Sequence, residues 1–260
     1  MRAYLYREQV YEHGDYATVS VFPVFPAPRR RKGRYRPTSD TQQALNAFNA
    51  AERLGRQLDE HMRDGGVHAV LTYDDAHLPQ TRAQAVRDWK NFKRRLERYY
   101  ARYGLGELKA AAVIHGDAGG ARLHIHTVIN AVLGKFEIME IWRNGLVTKA
   151  DELYFGPYGL RGLAKYMLDG MSWGRVMTTR NLTDVEPWER TGRISAADAG
   201  RLLENWDDKS AYEGRLPGYK VAAVKPFYNT FNRHTYVRIY LYKQTRGVGD
   251  AAPYGANRRT

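Results

Sequence analysis

His124 and His126 stand two apart in Arg122-Leu123-His124-Ile125-His126-Thr127-Val128-Ile129. A strand turns alternate residues to one face, so the two imidazoles share a side while Leu123, Ile125 and Ile129 take the other. Two neighbouring imidazoles can chelate one divalent ion. His115 ends the preceding apolar run, Ala111-Ala112-Val113-Ile114. If residues 116–121 form a hairpin loop, position 115 pairs with 122. Parity then gathers His115, Arg122, His124 and His126 on one face, with His115 diagonal to His124. That is a three-histidine metal site, or else three surface histidines on a hydrophilic face. The further Asp and His of zinc hydrolases (HxHxDH) are missing. A second reactive candidate lies downstream. Leu160, Leu163, Ala164, Met167 and Leu168 follow helical spacing, and Tyr166 falls off that stripe with Gly162 one turn before it. A tyrosine exposed beside a metal can attack a phosphodiester and become covalently phosphorylated. In a tyrosine-rich chain it can also be a plain helix flank.

The elements that must carry these residues read as follows. Residues 1–27 are short extended pieces broken by Pro23 and Pro26, and the basic run Arg29-Arg30-Arg31-Lys32-Gly33-Arg34-Tyr35-Arg36 follows. A helix spans about 40–63, with Leu45, Phe48 and Leu58 on its apolar side. Val67–Tyr73 is a buried strand, 81–103 a very basic helix, Leu108–His115 and Arg122–Ala131 two strands, and Lys135–Asn144 a short helix stopped by Gly145. Leu146–Leu153 is a strand and 158–169 a helix. This is the β-α-β-β-α-β order of a ferredoxin-like split fold. The expected class is α+β: an antiparallel sheet with helices on one face, the other face open, plus a C-terminal helix and β-hairpin extension. Residues 171–194 read as irregular, Ser195–Trp206 as helical, and Val221–Pro226 and Thr235–Lys243 as a hairpin. In its second strand Val237, Ile239 and Leu241 alternate with Tyr236, Arg238, Tyr240 and Tyr242, a ladder that stacks bases or packs on the rest of the fold. The division is 1–63 (basic arm and helix), 64–170 (core), 171–244 (extension) and 245–260 (disordered basic tail).

Composition names a class of partner. Among 260 residues, 41 Lys+Arg face 28 Asp+Glu, a net charge of +13, with 19 Tyr, 8 Phe and 5 Trp. Excess cations with interleaved aromatics suit single-stranded nucleic acid, which offers phosphates and base faces. No cysteine is present, which excludes disulfides, thiolate metal sites and a cysteine nucleophile. No apolar run reaches ~18 residues and Met1–Glu8 lacks a secretory apolar core, so neither a membrane span nor export is expected. There is no GxxxxGK[ST] loop, hence no fused helicase.

His124-Ile125-His126 with Leu163-Ala164-Lys165-Tyr166, after a strand ending Leu71-Thr72-Tyr73, resembles the HUH-superfamily nicking endonucleases, closest to the replication initiators of phages and plasmids of the filamentous-phage type. Val21-Phe22-Pro23-Val24-Phe25-Pro26 with its basic run, Arg36-Pro37-Thr38-Ser39, Thr179-Arg180-Asn181-Leu182, Pro217-Gly218-Tyr219 and the final hairpin are also similar to that family, so the likeness runs over most of the chain. The resemblance implies a Mn²⁺- or Mg²⁺-dependent enzyme that nicks and rejoins single-stranded or hairpin DNA at a rolling-circle origin. It implies Tyr166 as the residue that keeps the 5′ phosphate, and His124 and His126 as metal ligands, with His115 where relatives often carry an acid. Three neutral imidazoles favour Mn²⁺ or a later transition metal over Mg²⁺. It further implies a host helicase or polymerase as partner, no membrane, and the cytoplasm of a prokaryotic host. Arg29, Arg30, Arg31, Arg34, Arg122, Arg180 and Arg238 are the expected DNA contacts. At Tyr166+3, where many relatives carry Lys, this chain has Asp169. The alternative class is a catalytically inactive protein that binds single-stranded DNA or RNA on the same fold.

Overall fold

The structure is a computed structural model describing residues 5–25, 40–62, 65–116, 122–169, 176–229 and 234–244. Its elements are β1 (Tyr6–His13), β2 (Tyr16–Pro23), α1 (Asp40–His61), β3 (Val67–Thr72), α2 (Arg82–Tyr103), β4 (Ala110–His115), β5 (His124–Ile129), α3 (Lys135–Trp142), β6 (Val147–Glu152), α4 (Arg161–Leu168), β7 (Met177–Thr178), β8 (Trp188–Ile194), α5 (Ala196–Glu204), β9 (Tyr219–Asn229) and β10 (His234–Lys243). They form an α+β fold with two antiparallel sheets. A central sheet has the order β6-β3-β5-β4-β7, and a terminal sheet the order β8-β1-β2-β10-β9. No helix among the described residues is long and apolar enough to cross a membrane.

Strands β3 to β6 with α2 and α3 realise the split pattern. Thr81 caps α2 by accepting from the Gln84 N–H, and Gly104 ends it in the left-handed conformation. Ala85, Trp89, Phe92, Leu96 and Tyr100 of α2 are buried against Leu71, Ala112, Ile114, Ile125 and Ile129. Trp142, at the end of α3, is fully buried there and donates its indole N–H to the Thr72 carbonyl at 2.7 Å.

The opposite face is not open, as the sequence leads one to expect. Leu54 and Leu58 of α1, Met62 just after it, and Leu163, Ala164 and Met167 of α4 cover Ala111, Val113 and Val128. The apolar stripe of α1 is Ala51, Leu54 and Leu58, continued by Met62 just past its end, whereas Leu45 and Phe48 are exposed. This alanine-rich helix carries two competing phases of apolar spacing, and tertiary packing selects the second. Helices therefore lie on both faces, and α1 and α4 leave the half-exposed His115 and His124 at the end of the sheet.

Segments 1–63 and 171–244 are not separate appendages either. The extended N-terminal pieces are the hairpin β1–β2, and β2 pairs with β10, Val21 opposite Val237 and Val19 opposite Ile239. Their apolar faces share a core with Ala199, Leu202 and Tyr212. The stretch 171–194, read as irregular, contains β7 and β8. The Tyr/Arg ladder of β10 packs inward: Tyr240 is buried with its hydroxyl 3.3 Å from Glu52 Oε2, and Arg238 pairs with the same carboxylate at 3.3 Å.

Candidate metal centre and tyrosine

The β4–β5 register pairs His115 directly with His124 and Val113 with His126. The sequence reading, 115 with 122 and His115 diagonal to His124, is two positions off. A two-residue slip preserves side-chain parity, so the three histidines still share one face; a slip of one would have sent them into the α2 core. Ligand atoms of His115, His124 and His126 all lie within 4.8 Å of one another. Nitrogens bound to one first-row ion at about 2.1 Å are at most about 4.2 Å apart, so small ring movements complete a site. This cluster can hold a metal ion.

Each ring has one nitrogen engaged away from the cluster. His115 Nε2 donates to the Met167 carbonyl at 2.6 Å, leaving Nδ1 for an ion. His124 Nδ1 donates to the Arg122 carbonyl at 3.0 Å, leaving Nε2. His126 Nδ1 meets Nε2 of His68 at 3.2 Å, again leaving Nε2. Outer hydrogen bonds of this kind fix tautomer and ring orientation in metal-binding histidines. Burial pushes His126 down to about 3, assisted by the neighbouring His115, His68 and His124. Burial also lowers His115, against the opposing effect of its bond to Met167. Both rings are thus held neutral, the form that binds a metal.

Tyr166 reaches this cluster from α4. It is 45% exposed, while Leu160, Leu163, Ala164 and Met167 fix the helix from below. Its ring stands edge-on to His126, with centroids 5.3 Å apart, and to His68 at 6.1 Å. The His115–Met167 hydrogen bond ties the helix bearing Tyr166 to the strand bearing His115. At the other end, Asp59 of α1 accepts the Leu160 N–H at 2.6 Å and faces His13 Nδ1 at 3.1 Å. Arg161 pairs with Glu52 and stacks over the Tyr240 ring at 4.0 Å. Tyr158 lies before α4 against Tyr240, at a ring separation of 6.2 Å.

The expected DNA contacts fare unevenly. Arg180 is exposed beyond β7. Arg122 precedes β5 rather than sharing the histidine face; it donates to the Tyr73 carbonyl and pairs with Asp75 at 2.7 Å. Arg238 is engaged by Glu52 and lies 4.8 Å from the centre of the Phe48 ring. Arg29, Arg30, Arg31 and Arg34 fall outside the described residues. Asp169 is exposed at the end of α4, its N–H bonded to the Lys165 carbonyl at 2.8 Å.

Sequence reasoning misses His68. It is fully buried on β3, its ring stacked on His126 with centroids 5.4 Å apart and planes 9° off parallel. A signal exists: a lone polar side chain in Val67-His68-Ala69-Val70-Leu71, on a strand that the split topology places beside the His-Ile-His strand. Comparison of the chain with protein-family models, with curated proteins and with solved structures finds no match.

Proposed function

We propose that the chain is a metal-dependent nicking and joining enzyme for single-stranded DNA, of the HUH replication-initiator kind its motifs resemble. The observation that carries the reading is the exposed Tyr166 ring 5.3 Å from His126, one of three histidines whose ligand atoms lie within 4.8 Å of one another. His115, His124 and His126 are the residues to hold the ion, with an all-imidazole set that favours Mn²⁺ over Mg²⁺. A divalent ion held there supplies Lewis-acid polarisation of the scissile phosphodiester. Tyr166 Oη attacks phosphorus and the bond to the 3′ oxygen breaks. The phenolic proton goes to solvent, and the departing oxygen takes one up as the 3′-hydroxyl. The 5′ phosphate stays on Tyr166 as a phosphodiester, so the reverse attack by a 3′-hydroxyl rejoins the strand. His68 and the Met167 carbonyl keep the ligand rings oriented. The net charge of +13 draws the strand in. The place of action on this reading is a phage or plasmid origin in a prokaryotic cytoplasm, where a host helicase or polymerase extends the freed 3′ end.

Tyr166→Phe keeps the ring and deletes the attacking oxygen. Incubated with Mn²⁺ and labelled single-stranded or hairpin oligonucleotides, wild type and Tyr158→Phe are expected to give a covalent adduct on denaturing gels. Tyr166→Phe is expected to give none while binding Mn²⁺ normally by calorimetry. An adduct lost in Tyr158→Phe and kept in Tyr166→Phe transfers the role. No adduct from wild type on any substrate leaves a non-catalytic single-strand binder.

A further inference from the structure

On the far side of the central sheet from the histidines, Asn91, Arg94, Arg95 and Arg98 of α2 and Arg143 after α3 line a concavity of about 340 Å³. Positions 91, 94, 95 and 98 follow helical spacing and form one face. The four guanidiniums are fastened without carboxylates. Arg95 donates to the carbonyls of Ile141 and Trp142, both at 2.6 Å. Arg98 Nε donates to the Arg94 carbonyl at 3.3 Å, Arg143 Nε to the Glu140 carbonyl at 3.1 Å, and Arg94 to the Asn91 side chain. Among the described residues none of the four is in an ion pair. Arg143 is also the one non-glycine residue among them with a positive φ, 65°, at a helix end where glycine is the unstrained choice. Burial, then Arg143 and Arg98, lowers the Arg95 pKa against a smaller opposing pull from the Asp88 carboxylate, so four like charges are crowded together with no carboxylate of the described residues paired to any of them.

We infer that Arg94, Arg95, Arg98 and Arg143 form a second nucleic-acid site, for the phosphate backbone of a double-stranded segment. This rests on the nucleic-acid reading above but on none of its residues. Among the described residues no aromatic side chain lines the concavity. A single strand needs faces on which its bases stack, whereas a duplex hides its bases and presents only phosphates. Packed layers are spaced by about 10 Å, so a phosphate here is not the one facing Tyr166. The nicked strand and the duplex part of the same DNA are gripped on opposite faces of one sheet.

The test is fluorescence anisotropy with a blunt duplex of arbitrary sequence, about 20 base pairs long, between about 50 and 200 mM salt. The variants are Arg94→Gln/Arg98→Gln/Arg143→Gly and Arg143→Gly alone; Arg95 is left to hold α3. Each lost phosphate contact lowers the log–log salt slope by about 0.9, so the triple variant is expected to lose between about 2 and 3 units of slope and at least about tenfold in low-salt affinity. Arg143→Gly is expected to lose about one unit without a fall in melting temperature, because glycine suits its backbone. It carries the test if the triple variant unfolds. Mn²⁺ binding and the Tyr166 adduct on a short unpaired oligonucleotide should be unchanged. An unaltered duplex slope overturns the proposal. So does an equal loss for a single strand, or loss of polyglutamate binding with the duplex unaffected, which would make the concavity a site for an acidic protein. If the duplex slope falls as stated while wild type forms no adduct, the nuclease reading fails and this site stands.

Discussion

The ring of His68 supports His126 and accepts from it, and its own Nδ1 has no partner in the protein interior. His68→Leu keeps the volume and removes the acceptor. Metal affinity is then expected to fall between about 10- and 100-fold by Mn²⁺ calorimetry, the usual cost of losing an outer hydrogen bond to a ligand. The same burial has a pH consequence. Desolvation pushes His68 down to about 4 and His126 to about 3, both below the ordinary 6.5. Between these values and about 6.5 the unfolded chain binds protons that the native state refuses, so native stability falls as pH falls. Urea midpoints of metal-free protein should drop from pH 7 to pH 5, with a shallower drop in His68→Leu. An equal drop in both would remove His68 from the acid response. The three ligands are legible in the sequence because strand parity survives a two-residue slip. His68 stays hidden there because its role depends on which strand lies beside β5.

Helix α4 has eight residues, too few to be stable alone, so its docking determines where Tyr166 points. Its apolar stripe supplies part of that docking, and Asp59 supplies the rest by capping the Leu160 N–H. Gly159 makes this approach possible. Its φ is 59°, and a Cβ there would lie 2.2 Å from Asp59 Oδ1. Gly159→Ala therefore strains the backbone and displaces a buried acceptor, an expected loss of about 2–4 kcal/mol by urea unfolding. Loss of adduct with Mn²⁺ binding retained would place the damage at the tyrosine rather than at the ligands. The helix and its stripe are readable from periodicity. The seat is not, because Asp59 and His13 come from other elements and carry no local pattern.

At the scale of the whole molecule, Glu52 joins the two sheets. This carboxylate on α1 is 4% exposed and meets Arg161 at the start of α4, and Arg238 and Tyr240 of the terminal sheet. Glu52→Ala strands two guanidiniums beside each other with their acid gone. The expected cost is about 3–5 kcal/mol, seen as a lower melting temperature, whereas an exposed pair would cost under about 1 kcal/mol. Strand alternation puts Arg238 in a Tyr/Arg ladder offered to DNA; the carboxylate that engages it lies far away in sequence and is visible only in three dimensions. The strand order of the terminal sheet also sets a timetable for synthesis. Strands β3 to β7 leave the ribosome consecutively and can close their sheet at once. The β1–β2 hairpin emerges before that sheet but finds its neighbour β10 only after β3 to β9 have all been made. Through that interval Val19 and Val21 present an apolar, unpaired edge, the kind of surface on which a nascent chain needs a chaperone.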